Sequence, residues 1–232
     1  MITKILKEIK SKKDKKKDET LSRFFKTSKG EYGEGDIFWG LTVPISRQIS
    51  LKYKDLSLSD INLLLKNKVH EVRLIGLFIL VWRYKHSGAE EQEKIVKFYL
   101  KNTKYINNWD LVDSSSHYIL GDYLLKQKDK NILLKLAKSK NLWEQRIAIV
   151  STYAFIRKGE LDWTFKIANI FLGHDHDLIH KATGWMLREA GKKDEKALRK
   201  FLDSNLSKMP RTMLRYAIEK FGEAIRLTYL KK

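Results

Sequence analysis

Beyond residue 45, apolar side chains recur at three- and four-residue spacing almost to the end of the chain, and nothing alternates convincingly with period two. The pattern breaks at 57–59, 86–89, 101–104, 138–141, 173–177 and 191–194, so helices are predicted between these points. Residues 1–27 read as a basic helical segment. Residues 28–44 read as a Gly-rich loop, because Gly30, Gly33, Gly35 and Gly40 lie there among acids and aromatics. No GxxxxGK[ST] follows, and Glu31, Glu34 and Asp36 would repel phosphate, so a phosphate cradle is not expected.

The helical stretch also repeats itself. Val72-Arg73-Leu74-Ile75-Gly76, Gln145-Arg146-Ile147-Ala148-Ile149, His180-Lys181-Ala182-Thr183-Gly184 and Leu214-Arg215-Tyr216-Ala217-Ile218 each set a basic residue ahead of an apolar helix. The basic positions lie 73, 35 and 34 residues apart, so a further copy is due near residue 110, where Asn108-Trp109-Asp110-Leu111-Val112-Asp113 stands. A unit of about 34 to 37 residues has the size of a helical pair, and tetratricopeptide and ankyrin signatures are absent. The expected fold is therefore all-α: a single domain, 1–232, forming an α-solenoid (superhelix) of HEAT-like repeats over 45–232.

Setting the repeated position to zero gives other residues a phase. Trp109, Asp113, Arg146, Lys181, Trp185, Arg188, Arg211 and Arg215 fall between about −100° and +40° at about 100° per residue, one face of equivalent helices. In a stacked solenoid such a face becomes a continuous, commonly concave surface. Each member has a plainer reading: the tryptophans as core aromatics, Asp113 as a partner of Arg146, the repeated cation as a contact between repeats. Against these stands the coincidence of the set, and Leu111 points to the opposite side of its helix from Trp109 and Asp113.

Composition narrows the class of function. Lysine and arginine number 47 against 28 acids, a net charge of +19, in a chain that is 43% hydrophobic and so able to bury a core. That balance fits either a solvated basic surface or a nucleic-acid surface, for which the cations of the stripe would supply the charge. The absence of cysteine excludes disulfides, thiolate metal sites and cysteine nucleophiles. The longest apolar run is too short to span a bilayer and no signal-peptide core precedes it, so a cytoplasmic protein is expected. An amphipathic membrane segment around Ile2, Leu6 and Ile9 is short and carries no lipidation motif. His176 and His180 have the spacing of a metal pair, but no further ligand cluster accompanies them, and a turn in which an aspartate caps the next helix is the expected structure; no metal or cofactor is expected. Ser114, Ser115 and Ser116 with His117 are too close in sequence to suggest a triad, and no GxSxG elbow occurs.

Asn107-Asn108-Trp109-Asp110-Leu111-Val112-Asp113, Trp143-Glu144-Gln145-Arg146-Ile147-Ala148 and the run from His180 through Trp185 to Arg188 and Glu189 resemble the DNA alkylation repair family of AlkD-like glycosylases. Gly33-Glu34-Gly35-Asp36 with Phe38, Gly40 and Pro44, and Met209-Pro210-Arg211 with Arg215-Tyr216-Ala217, resemble it too, so the likeness spans nearly the whole chain. It implies a C-shaped solenoid that grips duplex DNA, as a monomer, and excises cationic N3- or N7-alkylated purines without a deep base pocket. The resemblance makes Asp113, Trp109 and Trp185 the catalytic residues and Arg146, Lys181, Arg188, Arg211 and Arg215 the DNA-binding ones. The alternative from another class is a catalytically silent helical scaffold that binds DNA structures or a protein partner.

Overall fold

The computed structural model describes residues 1–231, and no strand occurs among them; an isolated bridge between Ile37 and Val69 ties a loop to a helix start. The expected all-α class holds. The chain divides into two compact units, Met1–Ser115 and Ser116–Lys232.

The N-terminal unit contains α1 (Ile2–Ser11), α2 (Lys15–Phe24), α3 (Val43–Lys52), α4 (Leu58–Leu65), α5 (His70–Lys85), α6 (Ala89–Lys101) and the short α7 (Trp109–Asp113). Its centre is α5, which is apolar nearly all round and is buried continuously from His70 to Val81. Helices α3, α4, α6 and α7 pack against it. The amphipathic start is covered from within: Ile5 and Ile9 of α1 are fully buried, and α1 packs on α4. Residues 25–42 form the Gly-rich loop. Gly40 has φ +80°, and a Cβ there would lie 2.1 Å from the Asp14 carbonyl, so the loop can close over the start of α2 only with glycine at this position.

The C-terminal unit opens with a π-helical turn, His117–Gly121, and continues through α8 (Asp122–Leu125), α9 (Ile132–Ala137), α10 (Leu142–Ser151), α11 (Tyr153–Arg157), α12 (Asp162–Ile170), α13 (Asp177–Gly191), α14 (Glu195–Asn205), α15 (Arg211–Ala217) and α16 (Glu223–Lys231). Helices that follow one another in sequence pack on one another, α9 on α10 and α12 on α13, as in a helical-repeat fold. The central element is α13, against which α10, α14 and α15 also lie. A Cβ on Gly184 would sit 2.5 Å from both the Met213 carbonyl and the Tyr216 Cβ, so glycine lets α13 and α15 approach this closely.

Candidate active site

Helix α7 is built as its sequence suggests. Asn108 caps it, accepting a hydrogen bond from the Trp109 N–H at 2.8 Å, and Leu111 and Val112 are fully buried while Trp109 and Asp113 are half-buried. Behind it, the fully buried Tyr99 hydroxyl meets Ser115 Oγ at 3.0 Å, and Ser115 donates to the Leu111 carbonyl at 2.6 Å. Burial pushes the Tyr99 phenol upward; its bond to Ser115 opposes this and the nearby charge of Asp113 adds to it, so the phenol stays protonated.

The front of α7 is held by buried ions. Asp36, on the loop, is 4% exposed at its side chain and accepts from Arg73 Nη2 at 2.6 Å, from His70 Nδ1 at 3.1 Å and from Asn108 Nδ2 at 3.3 Å. His70, 1% exposed, turns its other nitrogen to Asp110 Oδ2 at 2.8 Å. Burial opposes a charged imidazole, but the charge of Asp110 and the hydrogen bonds to Asp110 and Asp36 outweigh it, and the His70 pKa rises to about 9. His70 is therefore an imidazolium between two carboxylates. Asp36 feels the same cancellation: burial pushes it up, and His70 and Arg73 hold it below the usual carboxylate range. Beside them Glu71, 2% exposed, accepts from the backbone N–H groups of Trp39, Gly40 and Leu41 at 2.8–3.1 Å. The acids of the loop thus differ in kind: Glu31 and Glu34 are exposed, whereas Asp36 is a core anion whose charge is already matched.

Aromatic rings complete this arrangement. Phe25 lies face to face with Trp109 at 5.1 Å and with Phe38 at 4.9 Å, Phe38 stacks on His70 at 4.5 Å, and Phe24, 61% exposed, meets the Trp109 ring edge-on at 5.9 Å. Trp109 is therefore part core aromatic and part surface.

In the C-terminal unit the remaining stripe residues meet different fates. Arg146 is 5% exposed and donates from Nη1 to the Leu178 carbonyl at 2.6 Å, so its side chain ties α10 to α13. Lys181 is half-exposed and pairs with Asp177 at 2.7 Å; Arg188 lies between Glu189 and Glu219. Arg211 and Arg215 are exposed, the former donating to the Leu230 carbonyl at 2.8 Å. Trp185 is half-buried, 6.0 Å from Tyr153.

The expected aspartate cap at 173–177 is corrected: the cap of α13 is His176, whose Nδ1 accepts from the Leu178 N–H at 3.1 Å. Asp177 stands one residue too late and pairs with Lys181 instead. His174 Nδ1 accepts from the His176 N–H and its Nε2 faces Gln145 Oε1 at 2.9 Å. Burial lowers both pKa values, with the neighbouring histidines contributing, so these rings act as neutral acceptors. Two cavities, of about 540 and 350 Å3, are lined elsewhere, around Trp163 and Phe165 and around Lys66, Lys101 and Lys104. Neither touches Trp109, Asp113 or Trp185.

Sequence reasoning missed His70, Asp36 and Asp110 as a group. They are 34 and 40 residues apart in pairs, and no local spacing links them. Only the presence of Asp36 and Asp110 inside two of the resembling segments pointed to them.

Residues 5–221 match the family described as "DNA alkylation repair enzyme". A solved structure described as a "Predicted DNA alkylation repair enzyme" from Enterococcus faecalis has a similar fold, with a TM-score of 0.73, 15% sequence identity, and coverage of 91% of this chain and 97% of that one. No curated protein matches the sequence.

Proposed function

Since the chain belongs to the DNA alkylation repair enzyme family, we propose that it is a DNA glycosylase that hydrolyses the N-glycosidic bond of cationic N3- or N7-alkylated purines in duplex DNA. The observation that carries this reading is α7: a short helix, buried along Leu111 and Val112, that keeps an aromatic and a carboxylate one turn apart and only half-buried. An alkylated purine cation is already a good leaving group, so the acid that glycosidases use to protonate the departing atom is dispensable and one carboxylate suffices. Asp113 stabilises the oxocarbenium-like sugar and orients the attacking water. Trp109, backed by Phe25, and Trp185 pack against deoxyribose and exclude solvent.

Lys181, Arg188, Arg211 and Arg215 bind backbone phosphates, the first three exchanging their present carboxylate and carbonyl partners for DNA. Arg146 acts from behind, holding the Leu178 carbonyl and with it the start of α13. A scaffold that only binds DNA needs cations and gains nothing from a carboxylate directed at the sugar. Incubation with methylated duplex DNA tests the proposal: free 7-methylguanine or 3-methyladenine is the expected product, and binding without release of either base would assign the protein to the scaffold class.

A further inference from the structure

His70 cannot touch DNA, because its side chain is 1% exposed, yet it links three parts of the N-terminal unit. It belongs to α5, its Nδ1 faces Asp36 of the loop, and its Nε2 faces Asp110 of α7. Asp110 follows Trp109 and lies three residues before Asp113. Its Oδ1 makes no hydrogen bond, so this side chain is held through Oδ2 and His70. A five-residue helix has little stability of its own, and its direction is set by what fastens its ends. One end carries Asn108 and Asp110; the other continues to Ser115. Phe25 adds a second route, since its ring lies 5.1 Å from both His70 and Trp109.

We propose that His70 is a positioning residue for base excision: its ring, through Asp110 and Phe25, fixes the helix that presents Trp109 and Asp113. This rests on the reading of Asp113 as the carboxylate that acts on the sugar. Charge bookkeeping shows why protonation matters. The groups facing the ring are Asp36 from the loop, Asp110 from α7 and Arg73 from α5, while Glu71 is turned to the Trp39, Gly40 and Leu41 backbone. With His70 charged, the two carboxylates are matched by two cations. Neutral imidazole keeps one donor nitrogen, so one carboxylate then faces an acceptor and must turn away. Asp36 is 4% exposed and bonded to Arg73, whereas Asp110 is 15% exposed with no other hydrogen bond, so Asp110 is the one released. Loss of that bond frees the first turn of α7.

The test combines single-turnover excision of 7-methylguanine across pH with NMR of the histidine rings and tryptophan indoles, in wild type, His70→Gln and Asp110→Asn. Wild-type excision should fall as pH rises through about 9. In Asp110→Asn, which removes a carboxylate that stabilises the imidazolium, the alkaline limb should move to lower pH by about one unit. His70→Gln should excise about tenfold more slowly, with no alkaline limb and with duplex affinity within about twofold of wild type. The Trp109 indole resonance should follow the His70 titration and lose that dependence in His70→Gln. A merely structural role predicts lower melting temperatures without a moved limb. Wild-type excision rates in His70→Gln, an unmoved limb in folded Asp110→Asn, or a Trp109 resonance indifferent to His70 would each overturn the proposal. If wild type released no base, the glycosylase reading would fail, and the indole titration would still decide separately whether His70 governs α7.

Discussion

The repeated basic position means different things in the two units. In the N-terminal unit it is Arg73, 4% exposed and bonded to Asp36 and to the carbonyls of Asn67 and Lys68. In the C-terminal unit it begins with the buried Arg146, passes through the half-exposed Lys181 and ends with the exposed Arg215. One sequence signal therefore marks a core ion that fastens backbone at one end of the chain and a surface cation at the other. Periodicity gives the phase of a residue on its helix; burial depends on which acid or carbonyl the fold brings opposite it.

The histidines differ in the same way. His70 is a cation matched to two carboxylates, whereas His174 and His176 are neutral rings that accept backbone N–H groups. Their linkage to pH has opposite sign. His70, raised to about 9, contributes stability that is complete below the unfolded value of about 6.5 and is lost as pH rises through 9. His174 and His176, lowered by burial, contribute stability present above about 6.5 and lost as pH falls. Asp36, held low, adds a loss at far more acid pH in the N-terminal unit.

The largest expected effect that separates the units comes from Arg73→Ala against Arg215→Ala. The first leaves Asp36 buried without its closest cation and should cost about 3–5 kcal/mol of stability. The second should change stability by less than about 0.5 kcal/mol while weakening duplex binding. Equal melting temperatures for the two variants would dissolve the distinction. Next in size is the salt dependence of wild-type binding. If Lys181, Arg188, Arg211 and Arg215 each neutralise a phosphate, log K should fall against log salt with a slope of about −4, and Arg215→Ala should flatten it by about 0.9. Salt-insensitive binding would argue for a partner other than DNA.

A smaller effect is expected in hydrogen exchange. Raising pH from 7 to beyond about 9 should loosen α7 before α13, and lowering it below the ordinary histidine value of about 6.5 should loosen the start of α13 before α7. The same order on both sides would contradict the two histidine assignments. Smallest of all is His176→Asn. Asparagine is a good helix cap, so stability at pH 7 should change by less than about 1 kcal/mol, while the acid-side loss shrinks.

Much of this was legible in the chain. Breaks at 57–59, 86–89 and 191–194 fall where α4 begins, α5 gives way to α6 and α13 ends, because capping residues and glycine act locally. The deep burial of Leu111, with Trp109 and Asp113 less buried, also followed from helical phase. The brace did not. Asp36 read only as one of three loop acids that would repel phosphate, and its burial depends on Arg73 and His70 from another element, a pairing that no period encodes. Nor did the phase show Asp177, Glu189 and Glu219 beside the cations of the C-terminal unit, since each lies off the repeated position. The His176 cap was hidden for a related reason: histidine caps only when burial keeps it neutral.

In the proposed mechanism the charge of Asp113 acts on the sugar. Single-turnover release of 7-methylguanine should be measured for wild type and Asp113→Asn, with duplex affinity and melting temperature alongside. The variant should lose roughly 10²-fold or more in rate, about 2.7 kcal/mol of transition-state stabilisation, while affinity for undamaged duplex is equal or tighter and the fold is retained. Release by Asp113→Asn at the wild-type rate, or rate, affinity and stability falling together, would contradict it.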